Sequence, residues 1–196
     1  MRKVAPIVAL LVLVAMTTLN PVAASSSSGG SNYYHPYPIG IIPGDIVIGH
    51  NPTSSIVIPR LLDHTGIIAY YDTYYNDWVV IEAWDSGIRM VLLSDFLKRY
   101  DTVAVLRVNT NDVVRQNAVY FAYQQLGKPY DWGGWWTKEV YGDSYYCSEL
   151  VWAAYKAAGG PDIDANPGWS WKYLDGVAPQ EIYDDGDTYV IYYDSA

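Results

Sequence analysis

Cysteine, the side-chain type best suited to attack a carbonyl carbon at neutral pH, occurs once in this chain, at position 147. Histidine, which trades protons most readily in that range, occurs three times. A single cysteine excludes a disulfide framework and a Cys-cluster zinc site. Cys147 directly follows Tyr145-Tyr146 and opens a stretch whose apolar positions 147, 150, 151, 154 and 158 recur at helical spacing, closed by Gly159-Gly160. A thiol at a helix start meets the partial positive charge of unpaired N–H groups, which favours the thiolate. The same donors can receive an oxyanion. The position equally suits the first small residue of a buried apolar stripe.

A thiolate nucleophile needs a base, and the base needs an orienting group. His64 opens the apolar run Thr65-Gly66-Ile67-Ile68, so a strand would hold it rigidly. Glu82 sits within Val79-Val80-Ile81-Glu82-Ala83-Trp84, where a carboxylate is costly to bury without a partner. A hairpin turning through Asp72 to Asp77 brings residues 64 and 82 opposite one another within a register step or two. Glu82 accepting from one ring nitrogen would leave the other for the thiol. The competing reading has His64 ending a strand and Glu82 facing solvent. His50, before Asn51-Pro52, reads as an exposed turn residue, and His35 lies in a segment expected to be flexible.

The elements that must position these groups are legible from periodicity. Strands are expected at Asp45–Ile48, His64–Tyr70, Trp78–Trp84, Gly87–Leu92, Val103–Val108 and Thr188–Tyr193. Ser94 is expected to cap a helical turn through Leu97. Asn111 is expected to cap a helix running to Leu126, closed by Gly127 and Pro129, and the second helix spans Cys147 to Ala158. The class is α+β, a mostly antiparallel sheet with helices packed on one side.

Arg2-Lys3, the apolar run Val4 to Met16 and the small residues Val22-Ala23-Ala24 have the layout of a secretory signal peptide over residues 1–24. The run is shorter than the roughly 20 apolar residues that span a bilayer. A Ser/Gly and Tyr/Pro linker is expected over 25–40, and one domain over 41–196. Such a protein would be secreted or extracytoplasmic, without stable membrane insertion after cleavage. The chain holds 12 Lys+Arg against 21 Asp+Glu, and losing Arg2 and Lys3 takes the net charge from -9 to -11. No basic surface remains to neutralise phosphates, which argues against nucleic acid. With 20 Tyr and 8 Trp against 2 Phe, most aromatics must serve the core. Trp132 and Trp135, with Trp136 around Gly133-Gly134, are the better candidates for a substrate wall.

Five motifs occur in order: Pro43-Gly44-Asp45-Ile46-Val47, Asp63-His64-Thr65-Gly66-Ile67-Ile68, Ile81-Glu82-Ala83, Leu126-Gly127-Lys128-Pro129-Tyr130-Asp131, and Tyr145-Tyr146-Cys147-Ser148-Glu149-Leu150-Val151. Together they resemble the permuted papain-like amidases of the YiiX/YaeF type, a branch of the NlpC-type cysteine peptidases. The order His, Glu, Cys agrees with circular permutation, which moves chain ends without moving the helix against the sheet. The resemblance implies a circularly permuted papain-like fold, with Cys147 as nucleophile, His64 as general base and then acid, and Glu82 as the orienting residue. It also implies Tyr145 as a hydroxyl near the thiol that assists the oxyanion site. Asp45 and Asp131 match as well and read as turn or strand-end residues.

The expected activity is hydrolysis of a peptide or isopeptide amide through a thioester acyl-enzyme, requiring no metal or organic cofactor. Cell-envelope peptides are the substrate class reached by analogy. Two other readings stand beside it: an acyl hydrolase or transferase on lipid-linked substrates, and a catalytically silent aromatic-rich binding domain. Whichever holds, the partner is a peptide, amide or acyl-containing molecule.

Overall fold

Alternating apolar residues build a six-stranded sheet in which every neighbouring pair is antiparallel. The computed structural model describes residues 32–51, 62–133, 137–169, 171 and 174–196. The strands are β1 (Ile46–His50), β2 (His64–Asp72), β3 (Asp77–Trp84), β4 (Gly87–Leu92), β5 (Thr102–Val108) and β6 (Thr188–Ser195), in the spatial order β4-β3-β2-β1-β5-β6. The β2–β3 turn forms because the Asp72 carboxylate accepts the Tyr74 and Tyr75 N–H groups, while Asn76 takes the left-handed conformation that asparagine tolerates.

The pleat sends alternate residues to two different cores. On one face Ile46, Ile48, Ile67, Ile81, Leu106 and Val108 meet α2 (Asp112–Gln124) and α3 (Cys147–Ala157). On the other, Val47, Ile68, Val80, Val103 and Val105 meet the short helix α1 (Leu93–Leu97) and Tyr100. The two longer helices thus share one side, as expected, and α1 seals the opposite face.

Asn111 caps α2 by accepting the Val114 N–H at 3.0 Å. Ser94 does not cap α1. It lies inside the helix, whose N-cap is Leu92, and its N–H donates to Asp77. A fourth helix, α4 (Pro179–Asp184), was not anticipated, because six residues offer too short a window for periodicity.

Residues 33–38 fall in the stretch expected to be a linker. Those residues have no regular structure, yet they are strapped to the sheet. Tyr33 N–H donates to Lys98 O, Tyr37 donates its hydroxyl to Asp77, and Pro36 O accepts from Tyr192. His35 is buried, with Nδ1 2.7 Å from Asp194 Oδ2 and Nε2 donating to Tyr100 O at 2.8 Å. The expected signal segment lies outside the described residues, and no helix among those described is long and apolar enough to cross a membrane.

Candidate active site

His64 is the first residue of β2, and Glu82 lies near the end of β3. The register pairs Gly66 with Glu82, so His64 is their diagonal neighbour on the same face. Its Nε2 meets Glu82 Oε2 at 2.9 Å. A Cβ on Gly66 would come within 2.6 Å of Val80, and this bare backbone leaves room for the pair to close. Cys147, the first residue of α3, comes from the other side of the sheet, with its Sγ 3.9 Å from the Asp63 carbonyl and near enough to His64 for each to shift the other's pKa. With Nε2 engaged, Nδ1 is the ring nitrogen left for the thiol. The three residues expected to act together are therefore brought together.

The charges follow from this arrangement. Burial alone would raise the thiol's pKa, but the hydrogen bond and charge of His64, with the Thr65 N–H donating to sulfur, lower it below the ordinary cysteine value. Burial alone would likewise depress His64, but Cys147 and Glu82 outweigh it and push the imidazole up to about 9. Burial opposes the ionised form of Glu82 too. His64 and Arg99 overcome that opposition and hold it well below the usual carboxylate range. The thiolate and the imidazolium thus each favour the other's ionised form.

Aromatic rings fix the imidazole from several directions. Phe96 and Tyr100 stack near it at 5.7 and 6.0 Å, and Trp84 meets it edge-on at 5.1 Å. Tyr100 lies directly over Gly49, where a Cβ would approach the ring to 2.3 Å. The Tyr100 hydroxyl is buried with no hydrogen-bond partner among the described residues.

Tyr145 does not sit as the resemblance implies. Its hydroxyl donates to Val140 O and accepts from Gly142 N–H, both at 2.9 Å. With its single proton engaged there, it has no donor left for an oxyanion. The hydroxyl beside Cys147 is that of Tyr130, whose pKa responds to both the Cys147 backbone N–H and the thiol. Burial, with the charges of Cys147 and Asp85, holds this phenol above its ordinary pKa, so it stays protonated. An isolated parallel bridge between Tyr130 and Tyr145 delivers it there. The signal that could have found Tyr130 is its place in Lys128-Pro129-Tyr130-Asp131, a motif recognised without assigning this residue a role.

Glu149, in the first turn of α3, ties down the residues that precede the helix. The Glu149 carboxylate accepts Tyr146 N–H at 3.2 Å and Glu139 N–H at 2.8 Å, which ties the preceding loop to the helix start. Trp132 is 67% exposed and stands 4.9 Å from Tyr130, ring to ring, and so forms an exposed aromatic surface against that residue. Trp135 lies outside the described residues.

Comparison with known proteins supports this fold and adds a lineage. No curated protein matches the chain. Among solved structures, the metalloprotein yiiX from Escherichia coli O157:H7 is similar, with a TM-score of 0.60 and 22% identity over 79% of this chain and 98% of that one. In the present chain no group of three or more His, Cys, Asp or Glu side chains is arranged to hold a metal ion among the described residues. His64 and Glu82 are committed to each other and to neighbouring side chains instead. The similarity extends the antiparallel sheet and its helices to a permuted papain-like architecture. Over residues 41–192 the sequence matches the family model of the permuted papain-like amidase enzymes, YaeF/YiiX, C92, and the chain belongs to that family.

Proposed function

We propose that the protein is an exported cysteine hydrolase that cleaves an amide bond through a thioester, with Cys147, His64 and Glu82 as its catalytic residues. The observation that carries this reading is the juxtaposition of Cys147, at the start of α3, with His64, whose Nε2 lies 2.9 Å from Glu82 Oε2. Membership of an amidase family supports the same class of reaction.

The thiolate attacks the carbonyl carbon and the C=O electron pair moves to oxygen. The resulting oxyanion is received by the Cys147 N–H, which leaves the Tyr130 hydroxyl oxygen, and by the Tyr130 O–H beside it. His64 then gives its proton to the departing amine, the C–N bond breaks and a thioester remains. Water enters, loses a proton to His64 and attacks the thioester, releasing a carboxylic acid and the thiolate. Glu82 keeps the ring oriented throughout and remains ionised. Trp132 offers a flat apolar wall to the acyl portion. The Arg2-Lys3 and apolar run at the chain start supports export, and cell-envelope peptides are the substrate class to try first.

The test incubates the mature protein with cell-wall peptide fragments, short peptides and acyl lipids, and follows products and the Cys147 adduct by mass spectrometry. Amide cleavage should be accompanied by an acyl adduct on Cys147 and fall by at least about 10³-fold in Cys147→Ala and His64→Ala. Turnover confined to lipid esters, or equal turnover in the variants, would overturn the assignment.

A further inference from the structure

The Glu82 carboxylate is completely buried and receives far more than the one hydrogen bond needed to orient an imidazole. Arg89 donates Nε and NH2 to Oε1 at 3.0 and 2.9 Å. Arg99 donates NH1 to Oε1 at 3.1 Å and NH2 to Oε2 at 2.6 Å. A chain with 12 basic residues against 21 acidic ones thus sets two arginines on a single carboxylate. Both guanidinium groups also lie 4.7 Å from the centre of the Trp84 ring, whose edge meets His64.

We propose that Arg89 and Arg99 are positioning residues that act on His64 through Glu82 and Trp84. Planar, two-pronged donation fixes the carboxylate's rotation as well as its place, which a lysine's point charge cannot do. The same cations hold the indole, so the imidazole is constrained at its Nε2 edge and at its flank by one assembly. There is an electrostatic part too. Glu82 alone would favour the imidazolium but oppose the thiolate. Two cations against one anion offset that opposition, leaving the cluster behind the imidazole with a net positive charge. Arg89 comes from β4, directly opposite Glu82 in register, and Arg99 follows α1. These elements carry no catalytic atom, and this gives them a part in the chemistry.

The proposal rests on Cys147 and His64 being the catalytic pair, but it is tested without a substrate. Charged and titratable groups around His64 are Asp63 preceding β2, Glu82, Arg89, Arg99, Tyr100 and Cys147. The rate of Cys147 alkylation by iodoacetamide is measured from pH 5 to 10 in the mature protein and in Arg89→Met, Arg99→Met, Arg89→Lys and Arg99→Lys. Each Met variant should move the acid limb of the profile upward by about one pH unit and slow alkylation at the foot of that limb about 3–10-fold. The Lys variants should recover the limb, which follows charge, while their His64 ring resonances broaden or shift in ¹H–¹⁵N spectra, which follow orientation. If a Met variant does not fold, the Lys spectrum decides: an unchanged His64 signal overturns the proposal. Lower melting temperature with an unmoved acid limb and unmoved His64 resonances would also overturn it, as a purely structural role predicts. Failure of amide turnover with the profile intact would overturn only the hydrolase reading.

Discussion

At the scale of single residues, two tyrosines near the cysteine exchange roles relative to what the chain pattern implies. Tyr145 holds the 140–142 turn, and Tyr130 faces the nucleophile's N–H. Tyr130→Phe should lower kcat about 10²-fold while leaving Cys147 alkylation intact, since the hydroxyl serves the oxyanion and not the thiolate. Tyr145→Phe should leave kcat nearly unchanged and cost about 1 kcal/mol in denaturant unfolding. The ion pair also bounds the pH range. Cys147 ionises below its ordinary value and His64 loses its proton at about 9, so kcat/KM should be bell-shaped, with the alkaline limb near 9. Because the folded-state pKa of His64 lies above the unfolded value of about 6.5, its contribution to stability is complete below 6.5 and vanishes as pH rises through 9. Cys147, held below its ordinary value, contributes in the opposite sense, so stability measured by urea titration should decline less between those values than His64 alone dictates.

At the scale of elements, the site is assembled around the end of the sheet. His64 and Glu82 lie on the α1 face, and the thiol arrives from the α3 face. The β2–β3 hairpin was legible because alternation and the Asp72–Asp77 turn are local signals, and they placed His64 and Glu82 within a diagonal step. Cys147 at a helix start was legible from the i, i+3, i+4 spacing. Arg89 and Arg99 were not, because the partner of each depends on β4 register and on how α1 returns to the sheet. Tyr130 was hidden for a similar reason: its contact with Cys147 runs through an isolated bridge that no periodicity encodes. The Gly49–Tyr100 contact belongs to this scale as well. Gly49→Ala would press a methyl group into the Tyr100 ring, costing about 1–3 kcal/mol and displacing the ring from His64. A lowered melting temperature together with slower Cys147 alkylation is the expected pair of readings.

For the whole molecule, the strap preceding β1 extends the folded unit beyond the family match. His35 links Asp194 on β6 to the carbonyl of Tyr100, whose ring stacks near His64. A chain beginning at Ile41 should be less stable than one beginning at Asn32, and His35→Ala alone should cost about 1–3 kcal/mol by thermal melting. Equal stability of the two lengths would show that the strap is merely adsorbed. Eighteen residues separate His64 from Glu82, whereas 84 separate Asp63 from the Cys147 sulfur that approaches its carbonyl. A hairpin closes within about 1–10 μs. The cysteine's contact must wait for β4, β5 and α2 to be threaded between, at a higher loop-closure cost. The His64–Glu82 pair is therefore expected to form before the sulfur reaches it, so that thiol reactivity is the last property the refolding chain should acquire. Pulsed alkylation during refolding should show Cys147 gaining its enhanced rate after amide protection of β2 and β3 is complete.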